Sequence, residues 1–283
     1  MMKINIVCDE AAGGWIYSKF IEKFKKHSIH EILVNSKDSF DVAHYLPYYN
    51  IPKKLPNLST AWFSHMEQKE ELKSKFITSA QKVNVAISHS KKYADLLSRM
   101  GVKNVIQIMP GVDLLKFVPS NYVVDNKSLV VGYVGRAYSS SNRKNPELLD
   151  KITKIKDIEL KITGGKISED KMPDFYNSVD LVISPSKIEG GPMAIQEALA
   201  CGKPIVCFQS VGVVDEFNHG LIKIADFNED NFIKAIEDWC DGKLVLNPPK
   251  ASSVEKMRSQ VLKYTWENFV NEHDKVWSKL CGQ

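Results

Sequence analysis

The sequence has no long hydrophobic run, and this absence limits what the protein can be. Its apolar stretches, such as Leu129–Val131 and Leu181–Ile183, are far shorter than the roughly 20 residues that a membrane-crossing helix needs. No transmembrane helix is predicted. Met1–Cys8 carries a lysine but lacks a long apolar segment and a small-residue cleavage site, so it is interpreted as a first strand and secretion is not expected.

The sequence also has few cysteines and a small net charge. The five cysteines are odd in number, scattered and without paired metal-ligand spacing, so neither a disulfide framework nor a cysteine metal site is predicted. Reduced thiols in a cytoplasmic protein are expected at Cys8, Cys201, Cys207, Cys240 and Cys281. The net charge of +4 is too small to require nucleic acid, which is not expected as a partner.

Two motifs that would indicate other chemistry are missing as well. The sequence has no Asp-x-Asp cluster, so no metal is predicted, and no complete Gly-x-Gly-x-x-Gly, so no dinucleotide cofactor is predicted. Hydrophobic residues make up 43% and charged residues 25% of the 283, which is ordinary for a globular chain. This length suits two domains of about 120 to 150 residues.

Short β-rich runs alternate with helical patterns, which predicts parallel, doubly wound sheets in an α/β protein. The predicted strands include Ile4–Val7, Val83–Ile87, Val105–Ile108, Leu129–Val134, Ile158–Thr163, Leu181–Ser184 and Pro204–Phe208. The pattern breaks at Pro110, Gly111 and Pro119, where an interdomain linker is predicted. We therefore expect domains at 1–118 and 119–264, followed by a helix at 265–283 that packs back across both lobes.

The most informative stretch covers residues 185–204 and is predicted to turn from a buried strand into a helix. Gly190 and Gly191 would let a ligand approach the backbone without a Cβ in the way. Pro192 is a favourable first-turn residue, and the free amides of this turn and the positive end of the helix would bind an anion such as a diphosphate.

Two glutamates flank this turn. Glu189 precedes it, and Glu197 lies eight residues later, inside the helix. Carboxylates accept from adjacent hydroxyls, so one glutamate is expected to bind sugar hydroxyls and the other a ribose. Taken singly, each has the plainer interpretation of an ordinary charge at a strand end or on a helix surface.

Arg136 and Lys144 follow the strand predicted at Leu129–Val134. A nucleoside diphosphate gains negative charge as it leaves a sugar, and fixed cations stabilise that transition state more than the ground state. The pair is therefore predicted to hold the departing diphosphate without a metal. The alternative is two solvated cations on a polar loop.

Two glycine pairs are weaker candidates. Gly164-Gly165-Lys166 ends a predicted strand, where a doubly wound sheet places its ligands, although turn geometry alone explains a glycine pair equally well. Gly13-Gly14 follows the first strand and is predicted to precede a helix.

Residues 189–197 resemble the Glu-x7-Glu motif of the large family of retaining GT-B glycosyltransferases, the glycosyl transferases group 1 (family 4). Further segments resemble the same family, namely Pro110–Asp113, Gly132–Arg136 with Arg143-Lys144, and Tyr176–Leu181. Together they extend over roughly residues 83–220. The resemblance implies a GT-B fold, in which two Rossmann-like doubly wound domains face a cleft, with 1–118 on the acceptor side and 119–264 binding a nucleotide sugar.

The resemblance also adds a histidine. His65 follows the apolar run Ala61–Phe63, where related enzymes place a histidine near the reacting sugar, and a helix-capping role is the alternative. The catalytic candidates are therefore Glu189, Arg136, Lys144 and His65, and the donor-binding candidates are Gly13, Gly14, Gly164, Gly165, Lys166, Gly190, Gly191, Pro192, Met193 and Glu197.

The stretch Lys19–His27 mixes basic and aromatic residues at helical spacing. It would suit peripheral contact with an anionic membrane that carries a lipid-linked acceptor. The plainer alternative is a Rossmann helix with Phe20 and Phe24 in the core and its lysines in solvent.

The expected function is a hexosyltransferase-type glycosyltransferase that moves a sugar from a UDP- or GDP-sugar to a hydroxyl acceptor with retention, as the resemblance implies. The acceptor would be a glycan, a lipid-linked molecule or another hydroxyl compound, in the cytoplasm or at the inner membrane face. A nucleotide-sugar epimerase and a non-catalytic nucleotide-sugar-binding subunit remain alternatives. An enzyme that glycosylates modified DNA is not favoured, because no long basic stripe is present.

Overall fold

The computed structural model describes residues 1–56, 58–120, 128–136, 142–246 and 251–282. Its strands are β1 (Lys3–Val7), β2 (Glu31–Val34), β3 (Val42–Tyr45), β4 (Ser59–Phe63), β5 (Val85–Ser88), β6 (Val105–Gln107), β7 (Leu129–Tyr133), β8 (Ile158–Ile162), β9 (Leu181–Ser184), β10 (Ile205–Phe208) and β11 (Leu221–Ile224). Its helices are α1 (Glu10–His27), α2 (Glu70–Lys82), α3 (Lys91–Arg99), α4 (Pro146–Ile152), α5 (Met172–Asn177), α6 (Met193–Ala200), α7 (Glu229–Leu246), α8 (Ala251–Ser259) and α9 (Trp266–Leu280).

The chain divides into two compact units. Unit 1 comprises Met1–Gly111 and Tyr264–Gln283, and unit 2 comprises Val112–Lys263. Each unit is built on a parallel sheet whose strands alternate with helices along the chain. The predicted class of two Rossmann-like, doubly wound α/β domains is therefore confirmed.

In unit 1, the described strands form a sheet with the order β2-β1-β3-β4-β5-β6. All neighbours are parallel, and Ile4 of β1 pairs with Ile32 on one side and Val42 on the other. The chain first moves outward from β1 to β2 and then returns to the other side of β1. This reversal makes the gap between β1 and β3 a topological switch point, where such sheets bind ligands.

Helices α1 and α9 share an aromatic core in unit 1. Phe20 and Phe24 of α1 are buried, with ring centroids 5.2 and 5.4 Å from that of Phe269 in α9. Phe20 also packs edge-on against Trp62 of β4 at 5.4 Å. The aromatic side chains of the stretch 19–27 thus face the core, as the plainer of its two interpretations predicts.

One sequence expectation for α1 is wrong. Gly13 and Gly14 were predicted to precede the helix, but both fall within the bounds of α1, which begins at Glu10. Each glycine costs about 1 kcal/mol of helix propensity, which favoured a loop in the sequence. Propensity is a weak guide here because the packing of Phe20 and Phe24 stabilises the helix as a whole.

Two buried histidines lie in the same core. His44 of β3 and His273 of α9 have ring centroids 5.4 Å apart. The Nδ1 atom of His44 lies 2.8 Å from the Thr60 hydroxyl oxygen, which also accepts a hydrogen bond of 3.2 Å from the indole of Trp277. Burial lowers the pKa of His273 to about 4 and holds the pKa of His44 well below its ordinary value. Both rings are therefore neutral near pH 7.

Gly111 marks a close backbone contact within unit 1. A Cβ at this position would lie 2.5 Å from the carbonyl carbon of Thr265 and would overlap the backbone of Trp266. Thr265 is the N-cap residue of α9, and its hydroxyl accepts from the Asn268 amide at 3.1 Å. The start of α9 therefore packs on residue 111 only because that residue is glycine.

In unit 2, the described strands form a parallel sheet with the order β11-β10-β9-β7-β8. Its core contains the buried side chains of Tyr133, Ile183, Phe208 and Phe232. Strand β7 lies between β8 and β9, so the chain again reverses direction across the sheet. The switch point of unit 2 is the gap between β7 and β9.

Arg258 of α8 joins the segment after Gly111 to the end of α6 within unit 2. Its guanidinium donates to the carbonyl oxygens of Leu114 at 2.6 Å and of Phe117 and Ala200 at 2.5 Å each. Charge-assisted hydrogen bonds of this kind are among the stronger ones in proteins. They fix the chain just after Gly111 to the carboxyl end of α6.

All five cysteines lie in described positions, and none of them forms a disulfide. In the part of the chain that the structure describes, no helix is both long enough and apolar enough to cross a bilayer.

Candidate active site

The predicted donor-binding residues of unit 2 follow three neighbouring strands. Arg136 comes after β7, Gly164–Lys166 after β8, and Glu189–Gly191 after β9. Because β7 is flanked by β8 and β9 and all three are parallel, their carboxyl ends lie side by side. The sequence motifs therefore converge on the switch point of the sheet, the usual ligand position in this architecture.

The chain turns from β9 into α6 as predicted, but Pro192 precedes the first turn of the helix and does not belong to it. Strand β9 is fully buried, and α6 begins at Met193 with Pro192 as its N-cap residue. The Pro192 side chain makes no capping hydrogen bond, and its carbonyl oxygen accepts from the Ile195 amide at 3.0 Å. A helix N-terminus of this kind favours an anion because its amides and macrodipole point outward.

Glu189 is held by two cations at once. Arg143 Nη1 lies 3.1 Å from Glu189 Oε2, and Lys144 Nζ makes a close ion pair with the same oxygen. Arg143 also donates to the carbonyl oxygen of Ile188 at 3.2 Å. The three charged side chains are each no more than 20% exposed, so their interaction is only partly screened by solvent. One carboxylate facing two cations leaves a net positive charge at the switch point.

Sequence reasoning assigned Arg143 no role of its own. Residues Asn142–Lys144 form a short 3-10 helix, which we call the cationic turn. It places Arg143 and Lys144 beside the Glu189 carboxylate. The Arg143 carbonyl oxygen accepts from the Lys187 amide at 2.8 Å, which ties the cationic turn to the loop after β9. Two adjacent basic residues were the only sequence signal for this arrangement.

Arg136 lies elsewhere on the same edge. Gly164 and Gly165 adopt left-handed backbone conformations, with φ angles of 59° and 72°. A Cβ at Gly165 would lie 2.5 Å from Arg136 Nε and 3.0 Å from Arg136 Cγ. The exposed Arg136 side chain thus rests against Gly165, and the amide of Gly135 donates to the Thr163 hydroxyl at 3.0 Å to join the two strand ends.

Glu197 has a different environment from Glu189. It is 4% exposed on α6, and its Oε2 accepts from the hydroxyl of Tyr176 at 2.8 Å. Burial, and then the charge of Glu197, raises the pKa of Tyr176 well above its ordinary value. Tyr176 therefore stays protonated and donates to the carboxylate. The sequence separated these partners by 21 residues and gave no signal that they meet.

His65 belongs to unit 1 and lies at the carboxyl end of β4. Its Nδ1 is 3.1 Å from the Ser64 hydroxyl, and its Nε2 is 3.0 Å from Glu67 Oε1. Helix α2 begins at Glu70 with Lys69 as N-cap, so His65 caps no helix and that alternative is wrong. A carboxylate partner orients the imidazole and sets its tautomer. Unit 1 thus contains a histidine–glutamate pair beside its sheet edge.

Within the described residues, no group of three or more His, Cys, Asp and Glu side chains is arranged to hold a metal ion. His89 is buried against Trp62, with ring centroids 5.3 Å apart, and the N-cap residue of α3 is its neighbour Ser90.

Comparison with known proteins identifies the family. Residues 92–258, more than half of the chain, match the family described as glycosyl transferases group 1. The chain belongs to the group 1 glycosyl transferases. The match begins in unit 1 and includes the switch point of unit 2 with the cationic turn, Glu189 and Glu197.

A curated relative supports this group 1 assignment. The chain is 27% identical over 227 residues to a GDP-mannose-dependent alpha-mannosyltransferase of Corynebacterium glutamicum, an alignment that covers 70% of this chain and 50% of the relative. The chain thus spans about half the length of that curated relative.

Solved structures share the fold at low sequence identity. Sucrose-phosphate synthase from Thermosynechococcus elongatus aligns over 100% of both chains with a TM-score of 0.80 at 14% identity. Anabaena HepE in complex with UDP-glucose aligns over 99% of this chain and 100% of its own, with a TM-score of 0.72 at 13% identity. At such identities the likeness concerns the fold, and it confirms the predicted GT-B class for this glycosyl transferase.

Proposed function

We propose that the protein is a retaining, metal-independent glycosyltransferase that moves a sugar from a UDP- or GDP-sugar to a hydroxyl of a glycan, a lipid-linked molecule or another acceptor. The observation that carries the proposal is the convergence of Arg143 and Lys144 on one oxygen of Glu189 at the switch point of unit 2. A partly buried cation pair beside a helix N-terminus is complementary to a diphosphate.

The charge arrangement suggests how a donor would bind. A diphosphate carries more negative charge than a single carboxylate, so it would compete with Glu189 for Arg143 and Lys144. Once it is displaced from these cations, the Glu189 carboxylate can accept hydrogen bonds from the sugar hydroxyls. Diphosphate binding and sugar positioning would then depend on the same contact.

The cations also have a role in the reaction. As the bond between the anomeric carbon and the phosphate oxygen breaks, negative charge grows on the leaving diphosphate. Three cations would stabilise that charge more than they stabilise the ground state. They are Lys144 and Arg143 beside the diphosphate and Arg136 against the loop after β8. This is the work that a divalent cation does in metal-dependent transferases, which is why we propose transfer without one.

The remaining assignments are proposals of the same kind. Gly164–Lys166 would meet the nucleotide base, Glu197 the ribose, and the amides of Gly190, Gly191 and Met193 the phosphates. The names of related proteins agree with such donors, since one is described as GDP-mannose-dependent and another was solved with UDP-glucose. In unit 1, His65 is proposed to act near the reacting sugar, oriented by Glu67.

A ligand panel tests the donor proposal directly. UDP, GDP and their sugars should raise the thermal midpoint of the wild-type protein, because a ligand that binds only the folded state stabilises it. Lys144→Ala should slow transfer strongly, and Glu197→Ala should mainly weaken donor binding. Lys234→Ala is a matched control, because that lysine is 67% exposed and pairs with Asp238 on α7, away from the switch point.

The chemistry is tested with an acceptor mixture and product analysis. Transfer should continue in excess chelator, and the product anomer should match that of the donor. Incubation with donor alone should leave the sugar unchanged, whereas an epimerase would convert it. Absence of any nucleoside diphosphate binding would refute the proposal outright.

A further inference from the structure

Asn145 has an unusual conformation next to the cationic turn. Its φ and ψ angles are 53° and 59°, in the left-handed region, and it is fully buried. It also precedes Pro146, whose ring restricts the backbone of the preceding residue. Asparagine tolerates this region better than most residues, but the conformation still has to be held by its surroundings.

The ordinary explanation for an asparagine at this position does not apply. Asn145 is the N-cap residue of α4, where an asparagine side chain normally accepts from an amide of the first turn. Here the side chain makes no capping hydrogen bond. Its Nδ2 instead donates to Glu229 Oε1 at 3.2 Å, and its Oδ1 has no hydrogen-bond partner among the described residues. The side chain is therefore committed to Glu229 and not to its own helix.

Glu229 connects this residue to the loop after β9. Its Oε2 accepts from Lys151 at 2.8 Å, and Lys187 Nζ lies 3.5 Å from its Oε1. The amide of Lys187 in turn donates to the carbonyl oxygen of Arg143. Glu229 is the first residue of α7, a position where the helix macrodipole favours a carboxylate. A rigid helix end thus anchors both sides of the cationic turn.

We propose that Asn145 and Glu229 are positioning residues for diphosphate binding, which set the direction in which the cationic turn presents Arg143 and Lys144. Asn145 directly follows the cationic turn and precedes α4. Its left-handed backbone angles therefore determine the direction in which the Lys144 side chain points relative to α4. Glu229 holds those angles through the asparagine amide. Neither residue touches the diphosphate in this scheme.

This inference rests on the proposed function and deepens it, because it predicts a defect specific to the diphosphate. If the cations are misdirected, ligands should lose the contribution of their second phosphate and keep the contribution of the nucleoside. A general loss of folding would instead weaken every ligand. The informative quantity is therefore the ratio of affinities for a nucleoside diphosphate and its monophosphate.

The experiment measures this ratio by titration calorimetry with UDP and UMP, and with GDP and GMP, on the full chain. Glu229→Ala and Asn145→Gly should each reduce the diphosphate advantage about tenfold, the usual effect of losing a hydrogen bond to a charged group. Glycine keeps the left-handed backbone available and removes only the side-chain amide. The double variant should lose no more of the diphosphate advantage than either single variant, because both substitutions remove the same contact between Asn145 and Glu229.

Two further variants separate positioning from charge and from stability. Glu229→Gln keeps an oxygen that accepts from Asn145 Nδ2, so it should restore most of the advantage. Lys151→Ala removes the exposed partner of Glu229 and should leave binding unchanged. Thermal midpoints are recorded for all variants, and the inference requires the ratio to fall even where the midpoint is close to that of the wild type.

An unchanged ratio in Glu229→Ala, or a Glu229→Gln variant as impaired as the alanine, would overturn the positioning roles while the donor proposal stands. If the wild-type protein binds neither diphosphate, the proposed function fails and this inference fails with it.

Discussion

Replacing Tyr176 by phenylalanine tests the environment of Glu197. The substitution removes one hydroxyl, which donates at 2.8 Å to a carboxylate that is 4% exposed. Tyr176 itself is fully buried, so no water takes the place of the hydroxyl without rearrangement. The ring, its edge-on contact with Phe117 at 5.8 Å and the volume of the core are retained.

The expected cost follows from the charge of the acceptor. A hydrogen bond to an ionised group contributes about 1.5 to 3 kcal/mol, more than one between neutral groups. For a chain of this size, a loss of about 2 kcal/mol corresponds to a fall of about 4 to 8 °C in the thermal midpoint. Because Glu197 is proposed to bind the ribose, affinity for nucleoside diphosphates should fall as well.

The assay is urea unfolding at pH 7 of the wild type, Tyr176→Phe, Glu197→Ala and the double variant. With the carboxylate gone, the Tyr176 hydroxyl is itself an unsatisfied donor, so phenylalanine in that background should be neutral or stabilising. Tyr45→Phe is a control, because the hydroxyl of this buried tyrosine makes no hydrogen bond with described residues. A cost below about 0.5 kcal/mol for Tyr176→Phe, and equal in both backgrounds, would refute the reasoning.

Three other substitutions follow from the structure. Gly165→Ala should weaken diphosphate binding about tenfold, because the added Cβ would displace the Arg136 side chain. Gly164 is equally left-handed but faces open space, so Gly164→Ala should lower only stability. Calorimetry with a nucleoside diphosphate separates the two effects. Gly111→Ala should destabilise unit 1 by about 1 to 3 kcal/mol in urea unfolding, whereas Gly242→Ala, in open space on α7, should stabilise by about 0.5 to 1 kcal/mol. Since the pKa of His273 is about 4 when folded and 6.5 when exposed, acid protonates the unfolded chain first, and this group alone should lower stability by about 2 kcal/mol from pH 7 to pH 5. Buried His44, whose pKa is also lowered, adds to the fall, and His273→Phe should lose less over the same interval.

The strands could be predicted where a local apolar or alternating pattern marks them. Strands β7 and β9 are buried, mainly apolar runs, and β1 and β8 mix apolar with polar residues, whereas β2, β3 and β11 were not predicted. Strand β3 shows the reason, because His44 occupies one of its buried positions. The Thr60 hydroxyl on β4 is the hydrogen-bond partner of its Nδ1, and a partner on another strand is not visible in a local hydrophobic pattern.

The candidate site was predictable to the extent that it depends on local order. The spacing from Glu189 to Glu197 predicts a turn followed by a helix, and the structure has Met193–Ala200 in that place. Which cations meet Glu189 depends on a 3-10 turn and on one left-handed residue, Asn145, held from a distant helix. These contacts join segments that are far apart in the sequence. The sequence alone therefore could not identify Arg143, rather than its neighbours, as a partner of Glu189.

The two glutamates of one motif therefore have opposite physical characters. Glu189 is bound by two cationic side chains at the sheet edge, which a stronger anion can also bind, so its contacts can exchange. Glu197 is buried and held by a tyrosine whose raised pKa keeps it a permanent donor, so its contacts cannot exchange without breaking the core. In the proposed function, the exchangeable contacts of Glu189 suit a group whose partners change as the donor binds and reacts. The fixed contacts of Glu197 suit a group against which the nucleoside is oriented. This difference explains why substitution of Glu197 should reduce both stability and affinity.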